Sequence, residues 1–230
     1  MVLKGKSIMR KRRITLLMGH YGSGKTNVAV NYAIYLKEQG EKVAIYDLDI
    51  VNPYFRTVDA QNVLQEKGVE LIVSPFAETN VDLPAMNPAS YKMTADKSSF
   101  AVVDVGGDDR GALALGRFSD KIKEENDYEA LLVVNKYRPE TKDFNGVLEI
   151  KEEIENACKI KFTGIVNNSN LGEETTAELV IESDKFISEI SKKLNLPVIF
   201  TAVNEPLVKE VEKKVKNVLP VSLIKYGNWI

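Results

Sequence analysis

The octapeptide GHYGSGKT, residues 19–26, constrains this chain more than any other stretch. It fits the spacing G-x-x-x-x-G-K-[ST], and it stands between an apolar run at 14–18 and an amphipathic segment at 26–39. That order of strand, glycine-rich turn and helix is what a phosphate-binding loop requires. Gly22 and Gly24 let the backbone curl so that successive N–H groups face a phosphate, and the helix N-terminus adds its positive dipole end. Gly19, His20, Tyr21, Ser23 and Asn27 complete the candidate cradle. Lys25 is placed to hold phosphate oxygens and the Thr26 hydroxyl to ligate Mg2+.

The remaining sequence supplies a setting for such a loop. Short apolar runs alternate with longer helical patterns, the mark of a parallel sheet with crossover helices. Strands are expected at 14–18, 43–47, 70–73, 100–104, 130–135, 162–167, 198–201 and 221–224. Helices are expected at 26–39, 113–125, 141–157, 176–194 and 205–215. Several of the runs are apolar on both faces, as buried parallel strands are. The expectation is an α/β, three-layer P-loop NTPase fold with a mainly parallel sheet of seven or eight strands. Residues 14–230 are expected to form a single nucleotide-binding domain behind a basic segment at 1–13. The stretch 80–90, which contains Pro84 and Pro88, reads as an insertion over a surface or partner face.

Composition narrows the classes of partner. With 44% hydrophobic and 28% charged residues in 230, the chain has material for a sizeable core. A formal charge of -2 gives no bulk reason to bind nucleic acid or an anionic membrane, so neither is expected as a partner. The one strongly biased stretch, KGKSIMRKRR at 4–13, reads as a solvated terminus, with an electrostatic arm as the alternative. Cys158 is the single cysteine, which forbids an internal disulfide and leaves no Cys/His spacing for a metal. No apolar run approaches the roughly 20 residues needed to span a bilayer. A reducing cytoplasm is the expected location.

Two further stretches carry carboxylates to the ends of strands. YDLDIVNP at 46–53 puts Asp47 and Asp49 at the C-terminal end of the second strand, where ligands of open α/β sheets bind. The two acids are expected to point to different sides and to take different jobs. FAVVDVGG at 100–107 ends an apolar strand in Asp104, with Gly107 three residues later. In that arrangement Asp104 joins the Mg2+ sphere and the Gly107 N–H senses a γ-phosphate.

These motifs, in this order and with the paired acids early, resemble the MinD/ParA group of deviant Walker P-loop ATPases, within the CobQ/CobB/MinD/ParA class. Dethiobiotin synthetase and the nitrogenase iron protein lie in the same wider class. NKYRPET at 135–141 is similar to the family's strand-end stretch, and GIVNN at 164–168 to the segment whose asparagine contacts adenine. Residues 201–206, with Asn204, stand where the family's loop closes over the base. The resemblance implies ATP and Mg2+ as ligands, slow hydrolysis and a homodimer with nucleotides at its interface. By position, it implies that Lys25 stabilises phosphate charge, Asp47 supports the metal and its water, Asp49 positions the attacking water, and Thr26 and Asp104 complete the metal shell. Asn167 and Asn168 would contact the base. Guanine readers use N-K-x-D; here Arg138 holds the fourth position, which favours ATP over GTP.

His20 is a departure from that family, whose members carry a signature lysine at this place in the loop. An imidazole is a weaker phosphate clamp than an ammonium. Either His20 gains a proton beside bound triphosphate, or a basic residue such as Arg56 or Arg110 supplies the charge, or the dimer differs. The functional expectation is a nucleotide switch acting on a protein partner. The alternative is a small-molecule kinase or ATP-dependent ligase of the dethiobiotin synthetase type, with Tyr54, Phe55, Arg56 and residues 80–90 lining an acceptor pocket.

Overall fold

Strand and helix alternate along nearly the whole of the described chain in the computed structural model, which describes residues 11–49, 57–73, 88–107 and 109–223, the side chains of Pro88, Asp109 and Arg110 excepted. The strands are β1 (Ile14–Met18), β2 (Val43–Leu48), β3 (Glu70–Val73), β4 (Phe100–Val105), β5 (Tyr128–Val134), β6 (Gly164–Asn167), β7 (Val198–Asn204) and β8 (Val218–Val221). The helices are α1 (Lys25–Glu38), α2 (Gln61–Glu66), α3 (Lys92–Ala95), α4 (Asp109–Gly116), α5 (Ser119–Glu125), α6 (Phe144–Cys158), α7 (Ala177–Leu194) and α8 (Val208–Val211). Tyr54, Phe55, Arg56, most of 80–90, and Trp229 with the rest of the tail lie outside the described residues.

All eight strands join one parallel sheet in the order β3-β2-β4-β1-β5-β6-β7-β8. Alternation of side chains sorts the core into two layers. Leu17, Ile45, Val102, Leu131 and Val133 pack with α1 residues such as Val28, Tyr32 and Leu36 on one face. Leu16, Tyr46, Val103 and Leu132 pack on the other with Leu115, Ile122, Val147 and Ile187 of α4 to α7. Each fully buried aliphatic side chain among these stabilises the fold by roughly 1.5–3 kcal/mol relative to exposure. The result is the expected three-layer α/β architecture, with β1 between β4 and β5 at the centre.

Three expected elements come out differently. The helix expected at 113–125 is two helices broken at Arg117–Phe118. The buried Phe118 ring inserts there, while Gly116 lies close to the Ala157 carbonyl of α6. The helix expected at 205–215 is a short turn followed by the single turn α8 and a further hydrogen-bonded turn that ends with the Val215 N–H donating to the Val211 carbonyl, both residues being buried. The last strand is Val218–Val221, where 221–224 was expected. Pro220 argues against a strand there, but β8 is the edge of the sheet, where a missing N–H is tolerated.

The basic run is not solvated through its end. Lys11 pairs with Glu41 at 2.7 Å and Arg12 with Asp127 at 3.2 Å. Arg13 is buried, donating to the Met93, Asp96 and Ser99 carbonyls and to both oxygens of Glu125. It ties the start of β1 to α3 and α5.

Candidate functional site

The glycine-rich loop leaves the C-terminal end of β1, between its neighbours β4 and β5, and turns into α1. The turn is closed by the Ser23 N–H donating to the His20 carbonyl at 3.1 Å. Gly24 precedes α1 with φ 81°, a left-handed conformation, and a Cβ there would strike Asn168 Nδ2. That same amide donates to the Ser23 carbonyl at 2.7 Å, so β6 braces the loop. No side chain caps the N-terminus of α1 and no acid stands in its first turn. Its leading N–H groups and dipole end are thus turned toward the loop, where an anion binds. Lys25 and Thr26, at the head of α1, are buried, and Asn27 is half-buried with its carbonyl accepting from Asn31.

Opposite the loop stands the end of β4. A Cβ on Gly107 would lie 2.7 Å from the Tyr21 backbone nitrogen and 2.8 Å from Lys25 Nζ, so only glycine fits between the two motifs. Asp104 has no exposure; its Oδ2 accepts from the Thr57 hydroxyl at 2.8 Å, while Oδ1 has no hydrogen-bond partner among the described residues. Burial pushes the Asp104 carboxyl up to about 6, against the pull of the Lys25 ammonium and the Thr26 and Thr57 hydroxyls, with Asp49 adding to the rise. Asp47 is level with Asp104 across the β2–β4 ladder and equally buried.

Asp47 and Asp49 do not diverge as expected. Residues two apart in an extended chain share a face; both are buried, the Asp49 N–H donates to Asp47 Oδ1 at 3.0 Å, and Asp49 acts electrostatically on Asp104. Three buried carboxylates therefore gather at the ends of β2 and β4, and Asp104 among them is acted on by Lys25 and Thr26 at the head of α1. Thr57, whose hydroxyl binds Asp104, was not anticipated, because no spacing links it to the other motifs.

The second wall of the site is built from the ends of β5 and β6. Asn135, buried, accepts from the Tyr137 and Asn170 N–H groups and donates to the Asn170 carbonyl, which knits the two loops together. Asn167 has no exposure, and its amide bonds Ser183 of α7 and the Ser169 N–H. Among the asparagines of this wall, Asn168 is the one that reaches the phosphate loop. Asn204 ends β7, half-buried, at the same edge of the sheet but three strands from β1. His20 Nδ1 faces the Tyr21 carbonyl at 2.8 Å and Glu140 Oε2 at 3.8 Å, and the Tyr21 ring is 45% exposed. Arg56 lies outside the described residues, as does the Arg110 side chain, but Arg138 brings its Nε to 3.7 Å of the position a Gly22 Cβ would take.

These groups suit Mg2+ and a phosphate chain. Among the described residues there is no protein-only cluster of three or more His, Cys, Asp or Glu around a metal position. Mg2+ is typically held by one or two carboxylates with waters and phosphate oxygens, and the unpartnered buried Asp104 oxygen beside Thr26 is a donor of that kind.

Comparison with known proteins agrees with this geometry. Residues 14–178 match CbiA, the CobQ/CobB/MinD/ParA nucleotide binding domain. The chain belongs to this family. It is thus a nucleotide-binding domain of the P-loop NTPase fold. A comparison with curated proteins found no match. Among solved structures, the cell division protein ftsY of Thermotoga maritima is similar with a TM-score of 0.58 and 18% identity over 87% of this chain and 65% of that one. Chloroplast FtsY of Physcomitrella patens gives 0.56 and 20% over 86% and 61%. The 54 kDa signal recognition particle protein of Aeropyrum pernix, solved in complex with GDP, gives 0.53 and 16% over 84% and 41%. At these identities the likeness shows the fold, and this chain spans less than two thirds of each relative. Among the described residues no helix is long and apolar enough to cross a membrane.

Proposed function

We propose that the chain binds ATP with Mg2+, hydrolyses it slowly, and acts as a MinD/ParA-like nucleotide switch on a protein partner, as a homodimer. The observation that carries this reading is the Asp104 carboxylate, buried with one oxygen unpartnered among the described residues and acted on by the Lys25 ammonium and by Asp49. A buried acid of this kind is costly in an empty fold, and a metal-bound triphosphate relieves that cost.

In this reading the uncapped first turn of α1 and the loop N–H groups take the phosphate oxygens, and Lys25 balances their charge. Mg2+, held by Thr26 and Asp104 with Asp47 in support, would neutralise the charge that develops on the phosphates. Asp49 orients the attacking water from its place beside Asp47. The Gly107 N–H reads the terminal phosphate, and its loss on hydrolysis releases the segment leading into α4. Asn168 holds the floor of the loop. ATP is favoured over GTP because the stretch 135–138 reads N-K-Y-R, with no carboxylate in the fourth place to accept from a guanine N1–H and N2–H2, and the Asn135 amide is spent on the Asn170 loop.

Equilibrium titration of the protein with ATP and GTP, with and without Mg2+, followed by product analysis, tests the reading. ATP should bind more tightly than GTP, bind more weakly without Mg2+, and yield ADP and phosphate slowly. Preference for GTP, or transfer of the phosphoryl group to an added metabolite in step with ADP release, would replace this reading with another.

A further inference from the structure

One cation at the site is uncommitted: the Arg138 guanidinium has no hydrogen bond or ion pair among the described residues. Its backbone is held in place, and its side chain is exposed. The 135–141 loop is a closed turn, with the Arg138 N–H donating to the Asn135 carbonyl at 3.1 Å, the Thr141 N–H to the Arg138 carbonyl at 3.1 Å, and the Thr141 hydroxyl to the Asn135 carbonyl at 2.6 Å. The other cation of the turn, Lys136, is engaged elsewhere, bonded to Glu182 at 2.5 Å and lying over the Tyr137 and Phe186 rings.

Arg138 itself extends over the phosphate loop. Its Nε and Cζ lie 3.7 and 3.8 Å from the point a Gly22 Cβ would occupy, and Gly22 has φ 76°. A Cβ at that point would be in ordinary van der Waals contact with the guanidinium, so Arg138 lies directly against the loop, whose positive φ at this position favours glycine. His20, by contrast, is turned away within the loop, its Nδ1 facing the Tyr21 carbonyl at 2.8 Å and Glu140 Oε2 at 3.8 Å. The same short turn therefore sets a carboxylate near His20 and extends Arg138 over Gly22.

The geometry points to Arg138 as a phosphate-binding residue of this site, supplying from within the same chain a second positive charge to the nucleotide's phosphates beside Lys25. A guanidinium is suited to the task, since its planar fork bonds phosphate oxygens in pairs and it stays charged at any working pH. The inference rests on the nucleotide reading above and adds the residue that compensates for His20 in this chain.

Competition against a fluorescent ATP analogue, with ATP and with inorganic tripolyphosphate as displacers, tests it in wild type, Arg138→Ala, Arg138→Gln and Arg138→Lys. Tripolyphosphate has no base, so it isolates the phosphate contact. Arg138→Ala and Arg138→Gln should need roughly tenfold to a hundredfold more of either displacer, as expected for a lost charge-assisted bond, and Arg138→Lys should recover part of the loss. Gln keeps the side chain lying on Gly22, so a matching loss in both variants separates charge from packing. Equal displacement by tripolyphosphate in wild type and the two neutral variants, or a loss confined to ATP, overturns the assignment. Failure of wild type to bind the analogue at all overturns the nucleotide reading instead.

Discussion

At the scale of single residues, Asp104 joins stability to function. Its folded pKa of about 6 lies above the ordinary aspartate value near 3.9, so between about pH 4 and pH 6 the folded protein holds a proton that the unfolded chain has lost. Raising the pH through that window therefore lowers the stability of the nucleotide-free protein, by roughly 3 kcal/mol for a two-unit shift. Asp104→Asn should flatten this fall in urea midpoints measured from pH 4 to 7, and above pH 6 it should exceed wild type in stability while losing Mg2+-dependent nucleotide binding. Identical pH profiles would remove the carboxylate from this role. A second contrast lies within the loop. Lys25→Ala removes the buried ammonium and should abolish productive binding, whereas His20→Ala should leave affinity within a few-fold and alter hydrolysis or dimerisation. Equal losses of ATP affinity in the two variants, read by calorimetry, would show that the imidazole carries the phosphate.

Among elements, the walls of the site depend on the asparagine-rich ends of β5 and β6. Asn168→Ala removes the 2.7 Å bond to the Ser23 carbonyl and leaves that carbonyl unpaired, a cost of about 1–3 kcal/mol in unfolding free energy. Because the bond braces the phosphate loop, ATP and GTP affinity should fall by the same factor; a change in their ratio would instead make Asn168 a base contact. This bracing was not legible in the sequence, since GIVNN states amides at a strand end without saying which neighbour they reach. What was legible had a local cause. The runs at 14–18 and 70–73 coincide with β1 and β3, and the glycine-rich spacing placed the loop, because strand burial and loop curvature are written in adjacent residues. The break at Phe118 and the edge strand with Pro220 were not, because each is decided by a partner distant in sequence: α6 against Gly116, and β7 beside β8. Arg13 is the plainest case. As part of KGKSIMRKRR it reads as solvated charge, yet its partners in α3, in the turn before β4 and in α5 lie more than 70 residues away.

For the whole molecule, the family match ends at residue 178, inside α7, while the sheet continues through β7 and β8 to Val221. The later strands cover the face of α1 with Phe200, Leu219 and Val221, so they support the helix whose N-terminus faces the phosphates. Tyr21 is 45% exposed on the loop, and Leu113 is 58% exposed on α4, the helix that follows Gly107. Exposed apolar side chains on the loop and on the helix that follows Gly107 suit cover by a second copy, and with a formal charge of only -2 per chain, repulsion between copies is small. Asp49→Ala, by slowing hydrolysis, should hold the ATP-bound form, and light scattering after size exclusion in ATP and Mg2+ should then give twice the mass seen with ADP. Leu113→Glu in the same background should return the mass to that of one chain while leaving ATP affinity within a few-fold, because Leu113 faces solvent in the single chain. A mass of one chain for Asp49→Ala with ATP bound at saturation would rule out the nucleotide-dependent dimer and leave the switch to act as a monomer on its partner.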